Sequence, residues 1–162
     1  MGARLGLSKK LIKKSLYHAI ERQRQFVADM YQQGGKILRK LDSAEPIMVV
    51  SGRPYNLYDD RLNLRLGQNL AKLGIAALPM DFIDARAVDL TEFPAMFWGL
   101  GAQIVKTAKI VAKSSNYFGL HLTNFGCGAD SFVEHFYKSI MGDKAYLILE
   151  LDEHSAAAGV MT

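Results

Sequence analysis

Pro46-Ile47-Met48-Val49-Val50-Ser51-Gly52-Arg53-Pro54 is the stretch whose reading decides the fold. Four successive apolar residues of strand length leave no side for water. A strand built from them is buried on both faces, as in a parallel sheet covered by helices. Ser51-Gly52-Arg53-Pro54 then stops the run with turn residues.

Working outward, the pattern repeats in kind. Upstream, Ile12, Leu16, Ala19, Ile20, Phe26, Val27, Met30 and Tyr31 recur at three- and four-residue spacing. They predict a long helix with Ser8 as its N-cap, weakened or bent at Gly34-Gly35. Downstream, Leu62, Leu66, Leu70 and Leu73 form a helical stripe closed by Gly74, followed by a strand from Ile75 to Met80. A helix over Phe97 to Ala112 leads to a strand from Phe118 to Thr123. Ser131-Phe132-Val133-Glu134 reads as a capping box for a helix through Ile140, closed by Gly142, before the strand Ala145 to Leu149. Four strands alternating with helices predict an α/β fold: doubly wound, flavodoxin- or Rossmann-like, with a four-stranded parallel sheet in the order 2-1-3-4.

The domain reading is a basic amphipathic helical arm over residues 1–44 and an α/β domain over residues 45–162. The small run Ala156-Ala157-Ala158 starts another helix that ends at Thr162, so the chain reads as a piece of a longer protein.

The formal charge of +4 is unevenly spread. Residues 1–41 hold ten Lys and Arg against two acids, and the remainder ten against fourteen. The basic arm fits an amphipathic helix docking on an acidic surface. No base-reading motif or aromatic interleaving accompanies the charge, which argues against nucleic acid. The apolar runs are far shorter than a membrane span, and no apolar segment with a cleavage site follows Lys9 and Lys10. A soluble, cytoplasmic protein is therefore expected. One cysteine, Cys127, excludes an internal disulfide framework.

In such a fold every strand-to-helix loop lies at the carboxyl edge of the sheet, where ligands bind. The strongest signal there is Thr123-Asn124-Phe125-Gly126-Cys127-Gly128-Ala129-Asp130-Ser131. Gly126 and Gly128 let the backbone approach a ligand, and the following helix N-terminus favours a thiolate or an anion. Cys127 is thus a candidate metal ligand or nucleophile, the alternative being a small residue in a tight turn. A phosphatase loop fails, because Val133 stands where its arginine would be needed. Arg53 suits a bidentate grip on a phosphate or carboxylate, or an ion pair to an acid such as Asp81. The loop after the first strand lacks the glycine spacing of a dinucleotide site or a P-loop. Asp59-Asp60 reads as a turn and cap, and Asp152-Glu153-His154 as an acid–base or metal cluster or a solvated loop. Structural roles are expected for His18, His121 and His135.

Five ordered segments resemble a known family: Val50 to Asp59, Leu78-Pro79-Met80-Asp81-Phe82, Met96-Phe97-Trp98, Thr123 to Phe132, and Leu147 to Ser155. In this order they are similar to the dehydratase-like C-terminal region of the large CoA-substrate-specific enzyme activases, relatives of 2-hydroxyglutaryl-CoA dehydratase and its activator. The resemblance runs from about Leu16 onward. It implies an anaerobic iron–sulfur system in which a [4Fe–4S] cluster is held by cysteines from more than one domain. It also implies as partners an activase-type ATPase domain, cysteine-bearing domains of the same polypeptide and a 2-hydroxyacyl-CoA dehydratase. Cys127 matches the Gly-Cys-Gly position and carries over as a candidate cluster ligand, while Arg53, Asp81, Asp152, Glu153 and His154 match motifs without an assigned role. Ala129 stands where the family usually has proline and Ala157 where it has an acid.

Two function classes follow. Either the chain is one domain of an iron–sulfur redox system acting with CoA thioesters, or it is a non-catalytic docking or assembly module of that polypeptide. In both, the isolated chain is expected to carry no cluster, because one thiolate does not replace three or four. The arm is expected to pack through its Ile12, Ile20, Val27 and Tyr31 side, and Cys127 to face one cleft with Arg53 and the Asp152 to His154 loop.

Overall fold

A computed structural model describes residues 2–41, 45–124 and 128–151. Four strands, β1 (Ile47–Gly52), β2 (Ala76–Pro79), β3 (Tyr117–Thr123) and β4 (Tyr146–Glu150), form one sheet in the order β2-β1-β3-β4. All three pairings are parallel, with Ile47 level with Ala76 and Tyr117. The expected α/β fold and strand order are both present, and β2 ends at Pro79, where a missing N–H costs the ladder least.

Five α-helices accompany the sheet: α1 (Lys9–Leu38), α2 (Pro54–Tyr58), α3 (Leu66–Lys72), α4 (Gly99–Lys113) and α5 (Gly128–Met141). The period-2 alternation of β1 splits its apolar residues between two cores. Ile47 and Val49 pack with Ile104, Val105, Ala108 and Val111 of α4 and with Val133, Tyr137 and Met141 of α5. Val50 faces the other way, with Leu120, Leu122 and, on α3, Leu66 and Leu70. Each fully buried aliphatic side chain contributes about 1.5–3 kcal/mol by leaving water. Gly119 is required on the first face, because a Cβ there would lie 2.1 Å from the Tyr137 hydroxyl oxygen.

Three local readings are corrected. Helix α3 starts at Leu66, not Leu62: Leu64 and Arg65 adopt left-handed φ values of 53° and 56°, which no α-helix contains. The Asn69 amide holds this corner by donating to the Leu64 carbonyl at 3.0 Å. Helix α5 already begins at Gly128, so Ser131 lies inside its first turn rather than capping it. The acid of that turn is Asp130, favoured there by the positive end of the helix dipole.

The third correction concerns the arm. Helix α1 is capped by the Ser8 side chain, which accepts from the Leu11 N–H, and runs through Gly34-Gly35 as one helix of 30 residues. Gly34 does not interrupt it. It is the point of closest approach to the body, where a Cβ would come within 1.9 Å of the Phe82 carbonyl oxygen. Of the expected packing side, Ile12, Val27 and Tyr31 are half-buried, whereas Ile20 is 42% exposed, as is its neighbour Leu16 at 59%. At about 1.5 Å per residue the helix is about 45 Å long.

Candidate functional site

The site is built where the chain switches direction. From the carboxyl end of β1 the connection runs to β2 on one side, and from that of β3 it runs to β4 on the other. A crevice therefore opens between the two ends, as in doubly wound sheets generally. Arg53, the residue after β1, crosses this crevice. Its Nε donates to Asp130 Oδ1 at 3.0 Å, and a terminal guanidinium nitrogen lies 2.9 Å from the same oxygen. The Thr123 hydroxyl, at the end of β3, donates to the other carboxylate oxygen at 2.9 Å. The Asp130 side chain is 7% exposed and that of Arg53 26%. A buried carboxylate with these partners ties the β1 loop to the first turn of α5.

Beneath this pair lies a second crossing. Ser51 Oγ on β1 and His121 Nδ1 on β3 are 3.0 Å apart, and the His121 ring stacks on Tyr137 with centroids 5.2 Å apart. Burial pushes the His121 pKa down, partly opposed by Asp130 and Glu134, so the ring is neutral. Burial also raises the Tyr137 phenol to about 12, partly opposed by Ser51. His121 Nε2 is buried without a hydrogen-bond partner, as are both polar atoms of the Asn56 side chain and Asn124 Oδ1.

On the β2 side the geometry is open. Asp81 follows β2 in a short 3-10 turn (Met80–Phe82). The Tyr58 hydroxyl donates to its Oδ2 and the Gln103 amide to its Oδ1, both at 2.8 Å. Desolvation and then the bond to Asp81 raise the Tyr58 pKa well above the usual phenol range. These groups border a cavity of about 460 Å³ under α1, walled by Phe26, Met30 and Tyr31.

Of the two readings of Arg53, a grip on an anionic ligand or an ion pair to an acid such as Asp81, the structure shows an ion pair, made to Asp130, while Asp81 pairs with Tyr58 and Gln103. The reason is register. Gly52 is level with Leu122 across the β1–β3 ladder, so the β1 loop faces the start of α5. Asp59 is a turn cap as read, accepting from the Arg61 and Leu62 N–H groups. Gly128 is the exposed first residue of α5, and a Cβ there would meet nothing within 4 Å. Gly126, Cys127, Asp152, Glu153 and His154 lie outside the described residues. Tyr58, Gln103 and Thr123 were missed, since a lone hydroxyl or amide carries no signal until the fold places it beside a carboxylate.

Among the described residues no group of three or more His, Cys, Asp or Glu side chains can hold a metal ion. With one cysteine in the whole chain, the donor set does not fit a resident [4Fe–4S] cluster and can supply one thiolate at most. No helix among the described residues is long and apolar enough to cross a membrane.

Comparison with known proteins adds one finding. A family model described as the CoA enzyme activase uncharacterised domain matches residues 1–83, the arm through the turn after β2. No curated protein and no solved structure matches the chain.

Proposed function

The chain belongs to the family of the CoA enzyme activase domain that matches its first 83 residues, and from that premise we propose that it is the part of an activase polypeptide that lends one thiolate, Cys127, to a [4Fe–4S] cluster shared with other domains. The observation that carries the reading is positional. Cys127 belongs to the connection between Thr123, the last residue of β3, and Gly128, the first of α5. That connection starts at the carboxyl edge, beside the crevice crossed by Arg53 and Asp130. A cluster so held supplies one-electron transfer. The work of this chain's own residues is to hold the loop: Asp130 and Thr123 fix the first turn of α5, and Arg53 ties it to β1. The region similar to dehydratase subunits, the anaerobic setting and a 2-hydroxyacyl-CoA dehydratase as partner belong to the same proposal.

One observation favours the docking alternative: the bare Leu16 and Ile20 on α1, flanked by the lysines of the basic arm. Cys127→Ala in the full-length activase, purified without oxygen, separates the two. Loss of bound iron and of the brown chromophore is the expected result; unchanged iron content overturns the thiolate role and leaves the docking module.

A further inference from the structure

We propose that the cavity beneath α1 is a binding site for a small organic cation, a protonated amine or guanidinium carried on an apolar or aromatic body. The inference is independent of Cys127 and of any cluster. At about 460 Å³ the cavity is of the size that takes small ligands, and it opens at the carboxyl ends of β1 and β2, where parallel sheets bind them.

Its lining carries charge of one sign. Gln23, Phe26, Met30 and Tyr31 form the α1 wall, Tyr58 and Asp81 stand opposite, and among the described residues no Lys, Arg or His lines it. Tyr58 and Gln103 each spend a donor on Asp81, which fixes the carboxylate. The carboxylate keeps further lone pairs for a ligand, and among the described lining residues it carries the one formal charge, a negative one. Such a set asks for a donor with positive charge. An anion would meet the Asp81 carboxylate with no cation in the lining to offset it. The Arg86 guanidinium, 5.1 Å from the Tyr31 ring centroid, is held by Asp84.

The apolar wall supplies the rest. Phe26 is 58% exposed, an unusual position for a phenylalanine, and an aromatic face beside a carboxylate attracts a cation through its ring quadrupole. The wall is also held firmly, because α1 is seated on the Phe82 backbone through Gly34, eight residues further along the helix.

Phenethylammonium, an aromatic body with one ammonium, is a suitable probe, and 3-phenylpropionate is its control with the charge reversed. Isothermal titration calorimetry on the full chain at neutral pH should show saturable one-site binding of the amine and none of the carboxylate. Asp81→Asn, which removes the charge at nearly constant shape, should weaken the amine roughly tenfold or more, as expected for a charge-assisted hydrogen bond. Phe26→Ala alters an exposed side chain, keeps the fold and should weaken it severalfold, so the proposal stays decidable even where Asp81→Asn folds poorly. Absence of saturable amine binding, equal binding of 3-phenylpropionate, or unchanged affinity in Phe26→Ala or in a folded Asp81→Asn would each overturn it.

Discussion

At the β1–β3 crossing, Asp130 takes hydrogen bonds from Arg53 and Thr123 and is buried under them; at the β1–β2 end, Asp81 takes them from Tyr58 and Gln103 and still borders a cavity. The two carboxylates have the same chemistry and the same number of partner residues. They differ in what surrounds them. Asp130 meets a full guanidinium charge, so the pair closes on itself. Asp81 meets only neutral donors, and α1 spans the gap above it without filling it. A sheet edge thus divides into a half whose polar groups are consumed by holding loops together and a half whose polar groups remain available. Internal charge compensation marks the first kind, its absence the second.

The largest expected effect tests the closed half. Asp130→Ala removes the carboxylate of a mostly buried ion pair and the bonds by which it ties Arg53 and Thr123 to the first turn of α5. The loss should be about 3 kcal/mol, read as a lower urea midpoint at unchanged slope. A loss of only about 0.5 kcal/mol, typical of a surface pair, would break the comparison, because the crossing would then be no more closed than the cleft.

Next comes the pH dependence beneath that crossing. Burial lowers the His121 pKa in the folded chain against the pull of Asp130 and Glu134. The unfolded chain therefore takes up the proton first, as pH falls through about 6.5. The His121 contribution is fully present above that range and is lost as pH falls from it toward the folded pKa. Melting temperatures measured down a pH series should decline on this acid limb, and His121→Gln should flatten the limb even where its baseline is lower. Parallel curves for the two proteins would show that the ring does not titrate on unfolding.

The smallest effect sharpens the open half. Tyr58→Phe removes the hydroxyl of a half-exposed side chain, bonded to a carboxylate that borders a cavity, so chemical denaturation should shift by less than about 1 kcal/mol. A loss equal to that of Asp130→Ala would mean the Asp81 cluster is structural, and the distinction between the halves would fall.

The architecture was legible because its cause is local and repeated. Ile47 to Val50 and the later apolar runs have the length of strands and no polar face, the helices between them have a stripe of apolar residues, and parallel crossovers allow few topologies. The site was legible in part. Arg53 was recognisable as an ion-pairing residue, and Asp59 as a cap, since a cap is set by neighbours two and three residues away. The start of α3 was not legible, because the leucine spacing continues through Leu64 and Arg65 while the backbone turns left-handed there.

What this amino-acid sequence determined by itself is therefore the parallel α/β sheet, its order, and the set of loops gathered at one edge. Tertiary structure alone decided that Arg53 closes on Asp130 rather than Asp81, that Gly34 seats α1 on Phe82, and that Asp81 is left beside a cavity. Hydrophobic periodicity is written along the chain, residue by residue. Which carboxylate meets which cation depends on strand register and helix seating over separations such as the 77 residues between Arg53 and Asp130, and only the folded chain fixes those distances.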